Sequence, residues 1–247
     1  MKRIWPLAAL GIAAYILFAL FTLPASILVS RLAPFGIMAA GVDGTVWKGR
    51  AAVLQAGNTH LGSVTWDLHA LSLFLARLQA DVKLTRVDGF AQTTFTAMPS
   101  GRMDLNQLTA SLPLSALPAA ATPGGWAGMI HLKLATLSVE KGWPTRIEGT
   151  IEARDLTGPA RKPANMGSYK VTFPAAPAGE ELAGALTDIG GPLQIAGSLR
   201  LKQDRSYVIE GLVAARPDAP QAIADSLQYL GEPDPQGRRP FSIAGTM

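Results

Sequence analysis

The hydrophobic pattern changes character once, near the start. From Leu7 to Val29 the chain reads LAALGIAAYILFALFTLPASILV, with the phenol of Tyr15 as its one ionisable side chain. Crossing the roughly 30 Å of hydrocarbon in a bilayer takes about 20 apolar residues, and backbone at that depth satisfies itself only as a helix. The run therefore predicts a single transmembrane anchor over 7–29. Pro6 stands at its entry, where a missing N–H costs little. Pro24 kinks or ends it, leaving Ala25–Leu32 as a turn or two at the interface. Lys2 and Arg3 precede the run and Arg31 follows it. The positive-inside bias thus makes residues 1–6 a short cytoplasmic tail and puts residues 30–247 across the membrane. A cleaved signal peptide is the competing reading. Its apolar region would span roughly 7–15 residues before a small-x-small site. This run is longer, and Pro24-Ala25-Ser26 and Ala39-Ala40-Gly41 are poorly placed for cleavage, which favours the anchor. On either reading the bulk of the chain works outside the cytoplasm.

Beyond the anchor the period drops to two. Val64, Trp66 and Leu68 alternate with Thr65, Asp67 and His69. Ile147, Gly149, Ile151 and Ala153 oppose Arg146, Glu148, Glu152 and Arg154. Leu193, Ile195, Leu199 and Leu201 oppose Gln194, Ser198, Arg200 and Lys202. One dry and one wet face is the signature of half-buried antiparallel strands. Turn residues punctuate them at Asp43-Gly44 with Gly49, at Lys141-Gly142-Trp143-Pro144, at Asp188-Ile189-Gly190-Gly191-Pro192-Leu193 and at Asp204-Arg205. Between Gly101 and Leu112 the apolar set slips from Met103 and Leu105 to Leu108, Ala110 and Leu112, which predicts a bulge. Leu71–Leu78 reads as a short helix or a fully buried connector, and Ser115–Ala121 as one short helix. Gln221–Leu230 has helical spacing and a Gly231 cap. The uncharged, Pro-, Ala- and Gly-rich stretch 113–125 marks a sub-division of the β-rich domain.

A weak motif of glycine, small or apolar residue, then aliphatic residue recurs at Gly44-Thr45-Val46, Gly149-Thr150-Ile151, Gly197-Ser198-Leu199 and Gly211-Leu212-Val213. Its irregular spacing does not support a strict solenoid. The expectation is a mainly β protein: one N-terminal transmembrane helix, then an elongated, curved antiparallel meander with a few short helices. Such a sheet must cover its apolar face by curling, by folding over itself, or with a lipid or partner.

Composition narrows the chemistry. Cysteine is absent, which removes disulfides, thiolate zinc sites, iron–sulfur clusters and cysteine nucleophiles. Net charge is +4 and scattered, too little and too diffuse for nucleic acid. His60, His69 and His131 show no metal-ligand spacing, and His69 and His131 fall on polar strand faces. The glycines between Gly41 and Gly49 lie between strands, where they serve bends rather than phosphates. Glu180-Glu181 and Asp188 have no acid/base companion and read as solvated charge. Trp47, Trp66, Trp126 and Trp143 could offer a glycan-stacking surface, but Trp66 sits on an apolar strand face, so packing or membrane-interface contact ranks higher. No residue set argues for an enzyme, and no cofactor is implied. The shape-critical and interaction candidates are Gly44, Trp47, Gly49, Trp66, Asp188, Gly190, Gly191, Pro192, Gly197 and Gly211.

In order along the chain, the anchor, Gly44-Thr45-Val46-Trp47-Lys48-Gly49-Arg50-Ala51, the Trp66 strand, Asp188–Leu193, Gly197, Tyr207, Gly211 and the ending from Leu227-Gln228-Tyr229-Leu230-Gly231 through Gly237-Arg238-Arg239-Pro240-Phe241 to Gly245 resemble the type II secretion system protein N (general secretion pathway protein N) family of Gram-negative bacteria. The resemblance covers nearly the whole chain. It implies a single-pass inner-membrane protein with its bulk in the periplasm, accessory to a machine that exports folded proteins. The implied partners are the inner-membrane platform and the outer-membrane secretin, and the implied role is a scaffold between them. The family is also similar to AsmA-like proteins, whose sheets present an apolar groove. A lipid-binding or lipid-transfer module is therefore the alternative, on fold analogy alone.

Overall fold

The computed structural model describes residues 5–57, 59–117, 125–158, 165–175 and 181–246. Thirteen strands and a few short helices fall into two compact units, Met1–Val87 and Asp88–Met247.

In the first unit the apolar run is two helices, not one. α1 spans Trp5–Phe21 and α2 spans Ala25–Leu32. Pro24 between them is extended at φ −70° and ψ 144°. A proline has no N–H for the helix ladder and pushes the residue before it out of the helical region, so the helix ends at this point, as expected, and Ala25–Leu32 forms a short separate helix. α1 has 17 residues, and among the described residues no helix is long and apolar enough to cross a membrane. The chain then enters β1 (Ile37–Gly44), β2 (Lys48–Ala56), β3 (Thr59–Leu68) and β4 (Leu78–Thr85), paired antiparallel in chain order. Opposed charges sit across the strands, Arg50 on Asp43 at 3.0 Å and Lys48 on Asp67 at 3.2 Å. Of the two readings of Leu71–Leu78, the short helix is present, as a 3-10 helix, and the fully buried connector is not. Ala70–Leu75 is a 3-10 helix ended by Ala76 at φ 52°, and Leu71, Phe74 and Leu75 are 80%, 88% and 71% exposed. Among the described residues nothing packs over this six-residue segment, so its apolar side chains stay outside.

The second unit is a meander of β5 (Phe90–Ala97), β6 (Arg102–Pro113), β7 (Ala127–Glu140), β8 (Trp143–Thr157), β9 (Asn165–Phe173), β10 (Leu182–Gly190), β11 (Leu193–Leu201), β12 (Ser206–Ala215) and β13 (Arg239–Thr246). Each strand pairs antiparallel with the next. The expected bulge in β6 is present. Gln92 opposes Thr109 while Thr94 opposes Asn106, and Gln107 takes φ 54°. The slip moves Leu108 onto the face carrying Leu134, Ile147, Phe173 and Leu182, one buried cluster. A second cluster, Leu193, Val213 and Ile223, is covered by α3 (Gln221–Leu227), a turn shorter than the helical spacing suggests. β11 supplies residues to both clusters, and Gly197 lies between them. The sheet of this unit curls. Arg205, in the turn after β11, donates to the Lys141 carbonyl in the turn before β8 at 2.9 Å, although β9 and β10 lie between those strands. Of the stretch 113–125, residues 118–124 lie outside the described residues, and so does most of the Ser115–Ala121 segment. Leu114–Ala116 is a 3-10 turn, and the strands on either side, β6 and β7, are partners.

Candidate functional site

The ten sequence candidates fall into three places. The first is the β1–β2 hairpin. Gly44 and Gly49 face each other, and Gly49 in turn faces Trp66. A Cβ on Gly49 would lie 2.4 Å from Trp66 Cζ2, and one on Gly44, at φ 94°, would lie 2.5 Å from the Lys48 carbonyl oxygen. Glycine is required here by the space the indole occupies and by the backbone conformation. Trp66 donates its indole N–H to the Val46 carbonyl at 3.0 Å, fixing the hairpin loop over the ring. The loop then reaches the end of α1. Trp47 donates its indole N–H to the Leu20 carbonyl at 2.8 Å, the Val46 amide donates to the Leu23 carbonyl at 2.9 Å, Thr45 bridges Pro24, and the Phe21 and Trp47 rings stand 6.1 Å apart. The last carbonyls of a helix have no partner within it, and here the hairpin supplies a donor for one of them, Leu20, and for Leu23 just beyond the helix end. The arrangement is a neutral clasp between helix and sheet.

The second place is the β10–β11 turn. Gly191 at φ 119° lies against Gly167, where a Cβ would come within 2.2 Å of the Gly167 Cα. A bulge between Asp188 and Gly190 turns the Asp188 carboxylate inward. It accepts the Ile195 amide at 2.9 Å and pairs with Arg216, whose own amide donates to the Pro192 carbonyl at 2.8 Å. Tyr169, directly across from Asp188, donates to the Met166 carbonyl. Burial, with the Asp188 charge beside it, pushes the Tyr169 phenol up to about 12. The third place is the Gly197–Gly211 pair on β11 and β12. A Cβ on either residue would come within 3 Å of the other's Cα, so two strands approach where the two core clusters meet.

A fourth constellation carries no sequence signal. Thr96, Asp104, Ser138 and Arg146 stand opposite one another across β5, β6, β7 and β8. Ser138 is fully buried and Asp104 nearly so. Arg102 donates to Asp104 at 2.9 Å and to Ser138 at 3.2 Å. Burial by itself would raise the Asp104 carboxyl. The Ser138 hydrogen bond and the Arg102 and Arg146 charges outweigh it and hold the group below its ordinary value. Only the register of four strands, set by the β6 bulge, brings these residues together. Elsewhere His69, placed by the sequence on a strand face, lies just past the end of β3 at the start of the 3-10 helix and pairs with Asp81 of β4 at 3.0 Å, and Glu180 lies outside the described residues. Among the described residues no three His, Asp or Glu side chains converge in metal-binding geometry.

Two glycine-shaped hairpins, a curled antiparallel meander and an apolar helical lead-in define a β-meander protein built around shape-critical turns. Residues 36–242 match the family described as type II secretion system (T2SS), protein N, and the chain belongs to that family. The matched stretch holds β1 to β12, the start of β13 and every one of the ten candidates. The chain is similar to a "Type II secretion system protein N" from Aeromonas hydrophila, 28% identical over 256 residues and covering 99% of both chains. It is also similar to one of the same name from Vibrio cholerae serotype O1, 27% identical and covering 91% of both. No solved structure matches the chain.

Proposed function

We propose that the protein is a non-catalytic accessory component of the type II secretion system, a scaffold between the inner-membrane platform and the outer-membrane secretin. In this reading α1 tethers the chain in the inner membrane with its N-terminus in the cytoplasm, and the β-rich units work in the periplasm. Family membership and the names of the two relatives support the secretion role. The tether is supported by the absence of any charged residue from α1 and by the exposure of Leu10, Ile12, Ile16 and Phe18 along it.

The observation that carries the docking role is the exposed knob of Leu71, Phe74 and Leu75 in the first unit. Three large apolar side chains projecting together are costly in water, and such patches mark contact sites. Their 3-10 helix is held in place by Ser72, which is buried and bonds the His69 carbonyl at 2.5 Å, so the knob is presented rather than frayed. A photoreactive residue at Phe74 in whole envelopes tests the reading. Adducts with platform proteins or the secretin are expected; adducts with lipid alone would set the scaffold aside in favour of the lipid-handling alternative.

A further inference from the structure

Within the second unit, the curl that brings the Lys141 and Arg205 turns together encloses a cavity of about 610 Å³. Its walls are cationic, with Arg102, Lys141, Arg146, Lys202 and Arg205 against the single carboxylate of Glu140. Arg102 is already organised by its bonds to the buried Asp104 and Ser138, and the Arg146 charge acts on the same carboxylate. Arg146 Nε is buried and has no hydrogen-bond partner, and its Nη2 makes only a long 3.4 Å contact with Glu148. Lys141 and Lys202 stand exposed at the mouth, where the Lys202 charge also acts on the exposed Asp204 carboxylate in the turn after β11. The floor is apolar. Leu182 and Leu201 belong to the main buried cluster, and Trp143 lies beside them.

We infer that this cavity binds an anionic amphiphile, a phosphate-bearing head held by the arginine and lysine side chains with its apolar part laid on Leu182, Leu201 and Trp143. Converging cations in a partly desolvated space select anions, and arginine forks suit phosphate oxygens in particular. An unpartnered buried donor beside such a space is satisfied at no further desolvation cost when an anion arrives. The volume falls in the range of small-ligand sites, roughly 300–1,000 Å³. The apolar floor is what separates this ligand from a bare phosphate. The site is independent of the secretion role, since loss of secretion with binding intact would break one reading and leave the other.

The test is calorimetric titration of the purified full chain in zwitterionic nanodiscs with short-chain dihexanoyl phosphatidic acid. Parallel titrations use dihexanoyl phosphatidylcholine, sodium phosphate and an acidic Leu-Glu peptide. One equivalent of the phosphatidic acid is expected to bind at least about tenfold more tightly than the phosphatidylcholine or the phosphate. K141E/K202E, exposed mouth positions outside the Asp104 network, should weaken it at least about tenfold with an unchanged far-ultraviolet spectrum, and K133E, away from the cavity, should not. Equal affinity for sodium phosphate would remove the amphiphile. Equal weakening by K133E would reduce the effect to net charge. Tighter binding of the acidic peptide would make the cavity a protein-docking site. Each of those results overturns the proposal.

Discussion

The β1–β2 and β10–β11 hairpins solve one problem in two ways. Both are shaped by glycines that leave room for a close neighbour, and both hold a tertiary contact that fixes the turn. The first is closed by neutral donors: Trp66 on Val46, Trp47 on Leu20, and the Val46 amide on Leu23. Its Gly49 faces a side chain, the Trp66 ring. The second is closed by charge, with Asp188 between the Ile195 amide and Arg216, and its glycine faces backbone, the Gly167 Cα. A side chain can tilt away from an intruding methyl group, whereas paired backbone cannot move without breaking its ladder. A neutral clasp is indifferent to salt; a carboxylate latch is not.

The largest separation follows from the glycines. Gly191→Ala forces a Cβ to 2.2 Å from backbone at φ 119°, and strain and overlap together cost about 3–5 kcal/mol. Gly49→Ala meets the Trp66 ring at 2.4 Å and costs about 1–3 kcal/mol, because the indole has somewhere to go. Adding Trp66→Leu should return part of the Gly49→Ala loss, a coupling that no side-chain truncation can give Gly191→Ala. Urea unfolding of the solubilised full chain followed by circular dichroism measures both. Equal costs at the two glycines would erase the distinction between a side-chain and a backbone neighbour.

Removing the closing group separates the hairpins by less. Asp188→Asn leaves Arg216 without its anion, and Arg216 Nε is already buried without a partner, so a loss of about 2–3 kcal/mol is expected. The carboxylate is largely buried while the guanidinium is not, which keeps the figure below that of a fully buried pair. Trp47→Phe removes one neutral hydrogen bond and keeps the ring contact with Phe21, a loss of about 1 kcal/mol. Raising the salt concentration should shrink the first loss and leave the second alone. A Trp47→Phe loss with the same salt dependence would mean that the clasp is not neutral.

How much of this was written in the sequence depends on the range of each signal. Period-two strands announce themselves locally, and so did the β6 bulge, because Leu105 and Leu108 cannot share a face without one. The two hairpins were also legible, since glycines beside Asp43 and Asp188 have few uses besides turning a chain. What they grip was not. The Leu20 carbonyl lies 27 positions from Trp47, and nothing near Gly191 names Gly167 as its neighbour. The polar row from Thr96 to Arg146 was invisible for the same reason, its members being joined only by the register of four strands. In the apolar run 7–29 the break at Pro24 was legible locally, because a proline cannot continue the helix ladder, and α1 and α2 fall on either side of it. At Leu71–Leu78 helical and strand spacing overlap, and the pattern could not reveal that the apolar side chains would face outward.

The smallest expected effect separates the hairpins by pH alone. Tyr169 is neutral in the fold and its pKa is raised, by burial first and the Asp188 charge second, to about 12, against about 10 for an unfolded chain. The folded protein therefore holds that proton more tightly than the unfolded one. The associated stability is fully present below about pH 10 and is lost as the pH rises toward about 12. Tyr169→Phe should remove that alkaline decline, and phenolate absorbance should show one tyrosine titrating late in the wild type. Asp188→Asn should bring that titration partway down, since burial remains when the charge is gone. Trp47→Phe should leave it untouched, because the clasp at β1–β2 has no titrating group in its bonds. A Tyr169→Phe variant that declines between pH 10 and pH 12 as steeply as the wild type would take the phenol out of the latch and leave Asp188 and Arg216 to hold the turn by themselves.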